Sequence, residues 1–355
     1  MAADYPRKAK PYLQIGSASL GWGLVGASRI ARAAMVPAIQ NQPSVRRQHT
    51  IASAWTVGVF SRSLSRGQRF AQEARAGSAY PTLAALLARP EIQCIYISSL
   101  PRLHSEHALA ALEAGKHVLC ESPLALSREA GQLLVRTAAE RGLVLAVNHR
   151  LRAEPTLVRM RQFVAEGGIG DVLGATIHNI NPLATGQHTW RLKPRGGGVI
   201  FDRSIHSLDL LRFLFNDEIA SVAALGAEQA WGDGVFDDVV INVRMARRQV
   251  LVQVRDSYIV PHARDRVELY GTSGTLIARG AFLPGVTGEL ELVRHGRIQP
   301  IPVSEADPFE QVVQAFGNAV RGDGPPLCPG ADALVSLEVA LAVRASAAGD
   351  LPSAP

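Results

Sequence analysis

The sequence predicts an α/β protein of two domains, in which an N-terminal doubly wound parallel sheet is followed by an α/β domain with a large, mostly antiparallel sheet. Between residues 20 and 147, short apolar runs alternate with helical stretches, which is the order of a doubly wound sheet. Beyond Asn148, longer runs alternate apolar and polar residues, as antiparallel strands do. The 355 residues, 47% of them hydrophobic, are enough for two cores.

The domain boundary is predicted near Asn148, where the pattern changes. Residues 1–18 carry charges without an apolar stretch and are predicted to form an N-terminal arm. Residues 19–148 then form the first domain, and residues 149–355 form the second. The last helix of the chain is expected to pack back on the first domain.

The elements of the first domain are predicted from its apolar runs and from the helical stretches between them. The first run, Leu20–Val25, leads through a glycine turn into an Ala-rich helix that ends near Gln40, and a loop with Pro43 follows. The remaining predicted strands are Thr56–Phe60, Ile95–Ser98, His117–Cys120 and Val144–Val147. The predicted helices between them are Ser63–Ala76, Leu83–Leu87, Ser105–Ala114 and Arg128–Arg141.

The second domain is predicted to begin with an amphipathic helix at Pro155–Glu166. Its sheet strands are predicted from the alternating runs Val172–Asn179, Ala220–Gln229, Asp238–Met245, Gln249–Tyr258, Arg266–Gly271 and Glu289–Arg294. Two helices, Phe309–Val320 and Ala331–Ala347, close the chain on either side of a double proline.

Composition excludes several classes of function. The net charge is +6, but the basic residues are scattered and form no stripe with aromatic residues, so nucleic-acid binding is not expected. No apolar run is long enough to cross a bilayer, so no membrane association is expected. The only cysteines, Cys94, Cys120 and Cys328, have no metal-ligand spacing and are expected to be buried as small hydrophobes, which indicates a reducing cytoplasm and no metal site.

A candidate phosphate-binding turn follows the first strand. Its hexad is Gly26-x-Ser28-x-x-Ala31, in which a glycine permits a tight turn and free N–H groups at the helix start can receive a pyrophosphate. Serine replaces the usual middle glycine but is still small. The residues predicted to bind the cofactor here are Gly26, Ala27, Ser28, Arg29 and Ile30.

The end of the second strand predicts which dinucleotide binds. A site that prefers NAD(H) usually carries an acidic residue here for the ribose hydroxyls, and none is present. Ser61 and Arg62 instead offer a hydroxyl and a guanidinium, which suit a 2′-phosphate, and Arg66 lies one turn later. We therefore predict NADP(H), with NAD(H) as the alternative.

The segment Gly115–Ala125 reads Gly-Lys-His-Val-Leu-Cys-Glu-Ser-Pro-Leu-Ala. It resembles a signature of the glucose–fructose oxidoreductase / inositol dehydrogenase / rhizopine catabolism (Gfo/Idh/MocA) family, which has lysine where this chain has Ser122. Further segments resemble that family in the same order along the chain, namely Trp22–Ala31, Leu100–His104, Arg152–Pro155, Gly196–Asp209 and Tyr270–Thr275.

The resemblance implies a Rossmann domain plus an α/β domain whose open sheet forms a homodimer or homotetramer interface. It implies an oxidoreductase that transfers a hydride to or from a small polyol, sugar or related substrate. The further residues that it implies for the cofactor site are Leu100, Pro101, His104, Glu121, Ser122, Pro123 and Asn148.

A histidine and two carboxylates recur at helical spacing in the second domain. Asp202 and His206 lie four residues apart and Asp209 lies three further on, so a helix would place all three on one face. A carboxylate beside a histidine raises its basicity and orients it. The resemblance implies that Asp202 and His206 line the substrate pocket and that His206 accepts the proton.

Ser122 leaves the chemistry open, because a serine cannot supply the charge of the family's lysine. One interpretation, which we favour, is a hydride-transfer enzyme in which His206 and Asp202 handle the proton. A second is a non-redox enzyme that uses the bound cofactor in elimination or hydrolysis, and a third is a catalytically idle, ligand-sensing regulator. The residues predicted to bind substrate are Arg150, Arg152, Trp190 and Lys193, and their arginines favour an anionic substrate.

Overall fold

The computed structural model describes residues 20–41, 56–193, 197–231, 234–283 and 285–349. The predicted arm, the loop at Pro43 and Gly196 lie outside these ranges. Contacts divide the chain into two compact units. The first unit contains the described residues up to Leu124, together with Glu129–Asn148 and Phe309–Ala331, and the second contains Ala125–Arg128, His149–Pro308 and the described residues from Asp332 onward.

The first unit is built on a six-stranded parallel sheet. Its strands are β1 (Trp22–Val25), β2 (Thr56–Phe60), β3 (Ser78–Tyr80), β4 (Cys94–Ile97), β5 (His117–Cys120) and β6 (Leu145–Val147). They lie in the order β3-β2-β1-β4-β5-β6. This order reverses between β1 and β4, and ligands of such sheets bind where the order reverses. The predicted doubly wound sheet is confirmed, and β3, a three-residue edge strand, was not predicted.

Helices cover this sheet. They are a π-helical turn at Ala31–Met35 that continues into α1 (Val36–Gln40), then α2 (Leu64–Ala74), α3 (Leu83–Leu87), α4 (His104–Glu113), α5 (Arg128–Arg141) and α8 (Pro308–Arg321). The central strands are buried along their whole length, and Leu24, Ile95 and Ile97 have no exposed surface. Cys94, Cys120 and Cys328 are all buried, which confirms their predicted place in the core.

The second unit is built on an eight-stranded sheet. Its strands are β7 (Val172–Ile180), β8 (Ile219–Ala227), β9 (Asp238–Met245), β10 (Leu251–Ser257), β11 (Arg266–Gly271), β12 (Gly274–Arg279), β13 (Glu289–Arg294) and β14 (Arg297–Pro300). They lie in the order β14-β13-β12-β11-β7-β10-β9-β8. Only the β7–β10 pair is parallel among these described strands, so the predicted mostly antiparallel sheet is confirmed. Its helices are α6 (Pro155–Ala165), α7 (Ile205–Phe215) and most of α9 (Gly330–Ala347).

Among the described residues, no helix combines the length and the apolar character that a bilayer crossing requires. On the eight-stranded sheet of the second unit, the large apolar side chains that are exposed each lie on a different strand, at Leu173, Leu225, Leu251 and Ile298.

Candidate active site

The turn after β1 has the geometry of a phosphate-binding loop. Gly26 has a φ of +112°, in the region that favours glycine. A Cβ atom at this position would lie 2.8 Å from backbone atoms of Ser98 and Ser99, so the close approach also requires a glycine. Ala27 continues the turn, and helical residues begin at Arg29 and Ile30. Free N–H groups at such a helix start can receive a phosphate.

Ser28 stabilises this turn. Its Oγ accepts a hydrogen bond from the Ala31 N–H at 3.0 Å and donates to the Ser98 Oγ at 2.8 Å. The serine that replaces the usual middle glycine therefore joins the ends of β1 and β4, the two strands at which the sheet order reverses. Ser98 was not predicted as a site residue, although a small polar residue at the end of a parallel strand is the signal that identifies it.

An arginine that follows β2 contacts this turn. The Arg66 Nη2 donates to the Ala27 carbonyl oxygen at 2.9 Å, which brings its guanidinium to the phosphate turn. Ser63 caps α2, because its Oγ accepts from the Arg66 N–H. Arg62 is exposed and Ser61 is half-buried. Two arginines and two serines thus lie in or next to the first turn of α2 along the chain, and of these Arg66 contacts the glycine turn.

The ends of β5 and β6 are joined by the half-buried carboxylate of Glu121. The Oε1 of Glu121 accepts hydrogen bonds from the Tyr96 hydroxyl at 2.5 Å and from the Asn148 Nδ2 at 2.7 Å. Burial, and then the neighbouring carboxylate, raise the pKa of Tyr96 well above its usual value, so this hydroxyl remains a donor. Glu121 and Asn148 therefore hold the loop that carries Ser122 and Pro123.

Ser122 and His104 lie in this loop region. The Ser122 Oγ is buried and has no hydrogen-bond partner within the part of the chain that the structure describes. His104 is 1% exposed, and its two ring nitrogens lie 2.7 Å from the Pro123 carbonyl oxygen and 3.0 Å from that of Ser99. His104 thus tethers the loops after β4 and β5, and its ring is not free to reach a ligand. Leu100 is half-buried, whereas Pro101 is buried in the helical turn that precedes α4.

In the second unit, Asp202 is held by two donors. Its Oδ2 accepts from the Arg191 Nε at 2.9 Å and from the Tyr258 hydroxyl at 2.8 Å. The Arg191 guanidinium also lies over the Trp190 ring, 4.4 Å from its centroid. Trp231 packs edge-on against both His188 and Tyr258, with ring centroids 5.2 and 6.4 Å away. The result is a carboxylate next to several aromatic rings, a combination typical of sites for small hydroxylated ligands.

The predicted pairing of Asp202 with His206 is wrong. Residues Ile200–Ser204 form a π-helical turn before α7, and the wider turn breaks the spacing that would align the two side chains. His206 instead packs edge-on against His149, with ring centroids 5.0 Å apart. Burial, and then the nearby His149 and Arg150, lower the pKa of His206 to about 3, and Asp209 is the carboxylate that opposes this shift. The predicted rise in basicity is therefore wrong, and the ring is neutral at pH 7.

Asp209 and Arg152 form the centre of a buried ionic network. Arg152 donates to the two oxygens of Asp209 at 2.8 and 2.7 Å and also pairs with Asp332. The Ser336 hydroxyl donates to Asp209 as well, and Arg212 pairs with Asp332 at 2.8 Å. Burial opposes the ionisation of Asp209, but His149 and Arg152 outweigh it and hold the pKa of this carboxyl below its usual value. A substrate anion at Arg152 would have to compete with two carboxylates.

The other predicted substrate residues differ in exposure. Arg150 donates to the Phe282 carbonyl oxygen and lies 3.5 Å from the Glu154 carboxylate, whose pKa burial raises to about 7 despite this arginine. Trp190 is half-exposed and Lys193 is exposed. Trp190 is thus linked to Asp202 through Arg191, which contacts both residues. Arg150 and Arg152, in contrast, bind partners inside the protein.

Comparisons with known proteins agree with this architecture. Residues 20–149 match a family model described as GFO_IDH_MocA, oxidoreductase family, NAD-binding Rossmann fold, and residues 157–277 match the GFO/IDH/MocA C-terminal domain. The chain is 35% identical over 330 residues to a 1,5-anhydro-D-fructose reductase from Ensifer adhaerens, which covers 92% of this chain and 96% of the relative.

A further relative and a solved structure also match most of this chain. A dTDP-3,4-didehydro-2,6-dideoxy-alpha-D-glucose 3-reductase from Streptomyces antibioticus is 30% identical over 315 residues, covering 87% of this chain and 90% of the relative. Among solved structures, a mutant of a 3-ketoreductase from Actinomadura kijaniata in complex with TDP-benzene and NADP matches with a TM-score of 0.81 at 25% identity, covering 92% of this chain and 97% of that chain.

Proposed function

The chain belongs to the GFO/IDH/MocA family of oxidoreductases, and from this premise we propose that it transfers a hydride between NADP(H) and a carbonyl or alcohol carbon of a sugar-like substrate. The observation that carries the proposal is the turn at Gly26, where only glycine fits and where Ser28 and Arg66 converge. The relatives named above support a sugar-like substrate, because they include a 1,5-anhydro-D-fructose reductase and a dTDP-3,4-didehydro-2,6-dideoxy-alpha-D-glucose 3-reductase.

The residues of the first unit fit a phosphorylated dinucleotide. The turn at Gly26–Ile30 would hold the pyrophosphate, Ser61, Arg62 and Arg66 the 2′-phosphate, and the loops at Leu100 and Ser122 the nicotinamide end. NADP(H) supplies or accepts the hydride when it is bound. Glu121 and Asn148 keep the loop of Ser122 in place through their shared hydrogen bond.

The residues of the second unit would bind the substrate and move the proton. His206 is neutral at pH 7, so it can accept the hydroxyl proton of an alcohol during oxidation, and its protonated form can return a proton to a carbonyl oxygen during reduction. Arg191 and Tyr258 both bind the Oδ2 of Asp202, which leaves its Oδ1 as an acceptor for a substrate hydroxyl. Since Arg150 and Arg152 are engaged with partners of their own, we propose a substrate that does not require an anionic group.

We expect the parent protein to bind NADPH at least tenfold more tightly than NADH, and we expect Arg62→Ala to abolish this preference. A charge-assisted hydrogen bond to a phosphate contributes roughly 1.5–3 kcal/mol, which is tenfold or more in affinity. Quenching titrations with both cofactors measure the two dissociation constants. Arg69→Ala is the matched control, because Arg69 is also an exposed arginine and lies in α2. Equal affinities of the parent protein for the two cofactors would contradict the assignment of NADP(H).

Ser122→Lys is expected to abolish activity, whereas Ser122→Ala is expected to stay within about tenfold of the parent rate. The Ser122 Oγ is buried, so a lysine at this position would bring an ammonium group out of water next to the proposed nicotinamide site, which is costly. Steady-state rates of NADPH oxidation with a keto sugar, followed at the absorbance of the reduced cofactor, test this. A rate that rises in Ser122→Lys would instead indicate a dehydrogenase whose pocket is catalytically idle without the lysine.

A further inference from the structure

Two histidines of the second unit have buried ring nitrogens without hydrogen bonds. His149 is 2% exposed, and neither of its ring nitrogens has a hydrogen-bond partner within the described residues. The Nδ1 of His206 is likewise buried and without a partner among them. Most buried polar atoms in proteins are hydrogen-bonded, so three such atoms in adjacent rings require an explanation.

The geometry supplies one, because the two rings and a carboxylate form a row. The ring of His206 meets that of His149 at an interplanar angle of 70° with centroids 5.0 Å apart. The Nδ1 of His149 lies 3.6 Å from the Oδ2 of Asp209, slightly beyond hydrogen-bond length. A small rotation of the His149 ring would allow one of its nitrogens to hydrogen-bond to His206 and the other to Asp209.

We propose that His149 is a positioning residue that accepts the Nδ1–H of His206 and donates its own Nδ1–H to Asp209. This inference rests on the proposed function, in which His206 exchanges the proton with the substrate. With its Nδ1 proton held by His149, His206 keeps the lone pair on Nε2, and Nε2 is then the nitrogen that accepts the substrate proton. A carboxylate that orients a histidine serves a comparable purpose in hydrolases, where it selects the tautomer.

The charges around the row support this arrangement. Asp209 is fixed by Arg152 and Ser336 and stays ionised, so it can accept a hydrogen bond from His149 without taking the proton. The charged or titratable groups that act on His206 are His149, Arg150 and Asp209, and those that act on His149 are Asp209, Arg152, Arg212 and Asp332. A second positive charge next to these arginines is disfavoured, so His149 remains neutral while His206 is transiently charged.

The tautomer of His206 tests the proposal without any substrate. Nitrogen-15 NMR of the ring nitrogens distinguishes a protonated Nδ1 from a protonated Nε2, and the signals of His206 are assigned by their loss in His206→Ala. The parent protein is expected to show His206 with the proton on Nδ1. His149→Leu is expected to shift that proton wholly or partly to Nε2, whereas His149→Gln, whose amide oxygen can still accept, is expected to keep it on Nδ1.

Kinetics give the second measurement. His149→Leu is expected to lower kcat by about 10–100-fold with KM and cofactor affinity nearly unchanged, and His149→Gln to recover part of the loss. Thermal unfolding measurements on both variants are the control that checks that each one is folded. A His206 proton found on Nε2 in the parent, or a tautomer unchanged in His149→Leu, would overturn the role of His149. If the protein shows the expected tautomers but reduces no sugar, the proposed function is overturned, whereas the hydrogen-bonded arrangement of His206, His149 and Asp209 stands.

Discussion

Replacement of His206 by alanine is expected to lower kcat by about 10²–10⁴-fold while the affinity for NADPH stays nearly unchanged. His206 is the proposed proton carrier, and it lies in the second unit, whereas the residues proposed for the cofactor lie in the first. Steady-state rates and cofactor titrations of the same preparations separate the two effects. His178→Ala is the matched control, because His178 lies on a sheet strand of the same unit and has no proposed role.

The pH dependence of this reaction follows from the state of the histidine. Its pKa of about 3 lies below the usual value, so His206 is deprotonated throughout pH 5–8. The kcat/KM for alcohol oxidation is therefore expected to show no histidine-dependent fall in that range as pH decreases, because the proton acceptor is lost only near its own pKa. A His206→Ala variant that keeps the full parent rate would contradict the role of His206 as the proton carrier. A fall in kcat/KM at low pH with an apparent pKa near 6.5, which disappears in His206→Ala, would contradict the expected pH dependence.

Arg152→Met is expected to lower the free energy of unfolding by about 3–5 kcal/mol, because it leaves the buried Asp209 without its principal partner. The arginine binds both oxygens of Asp209 and also pairs with Asp332. Denaturant unfolding followed by circular dichroism measures the loss. The control is Arg159→Met, which removes an arginine from a more exposed pair with Glu166 and should cost no more than about 1 kcal/mol.

Two further measurements show how the stability of Arg152→Met is to be interpreted. The double variant Arg152→Met/Asp209→Leu is expected to recover part of the stability, because it leaves no unpaired charge at Asp209. A stability loss below about 1 kcal/mol in Arg152→Met, accompanied by a large rise in KM, would restore the role in substrate binding that the sequence predicted for this arginine.

Local signals in the sequence were sufficient for most of the fold and for the glycine turn after the first strand. The strands Thr56–Phe60 and His117–Cys120 have the predicted bounds, because continuous apolar runs mark buried parallel strands. The turn at Gly26 was identified because strand, glycine and helix follow one another directly. Three of the described strands were not predicted. Ser78–Tyr80 and Arg297–Pro300 are short and lie at sheet edges, where burial leaves a weak pattern. Gly274–Arg279 lies inside the sheet and pairs with Arg266–Gly271 across a tight turn.

The surroundings of the proposed acid/base group, His206, were predicted only in part. His206 was identified through the family signature, but its partner was assigned from an α-helical spacing that the π-helical turn at Ile200–Ser204 does not follow. His149 was not predicted, since a single histidine at the end of a strand has no periodic signal. Trp231 was missed for a similar reason, because its contacts with His188 and Tyr258 join separate loops.

The sequence by itself determined the two sheets, the glycine turn after the first strand and the family, because each depends on residues that are neighbours in the chain. Only the tertiary structure decided which charged side chains pair with one another. Arg152 pairs with Asp209 at a separation of 57 residues and with Asp332 at 180, so an anionic substrate would have to compete with both carboxylates for this arginine. The physical reason is that the protonation state and the role of an ionisable side chain depend on its burial and on its nearest charges, and packing sets both.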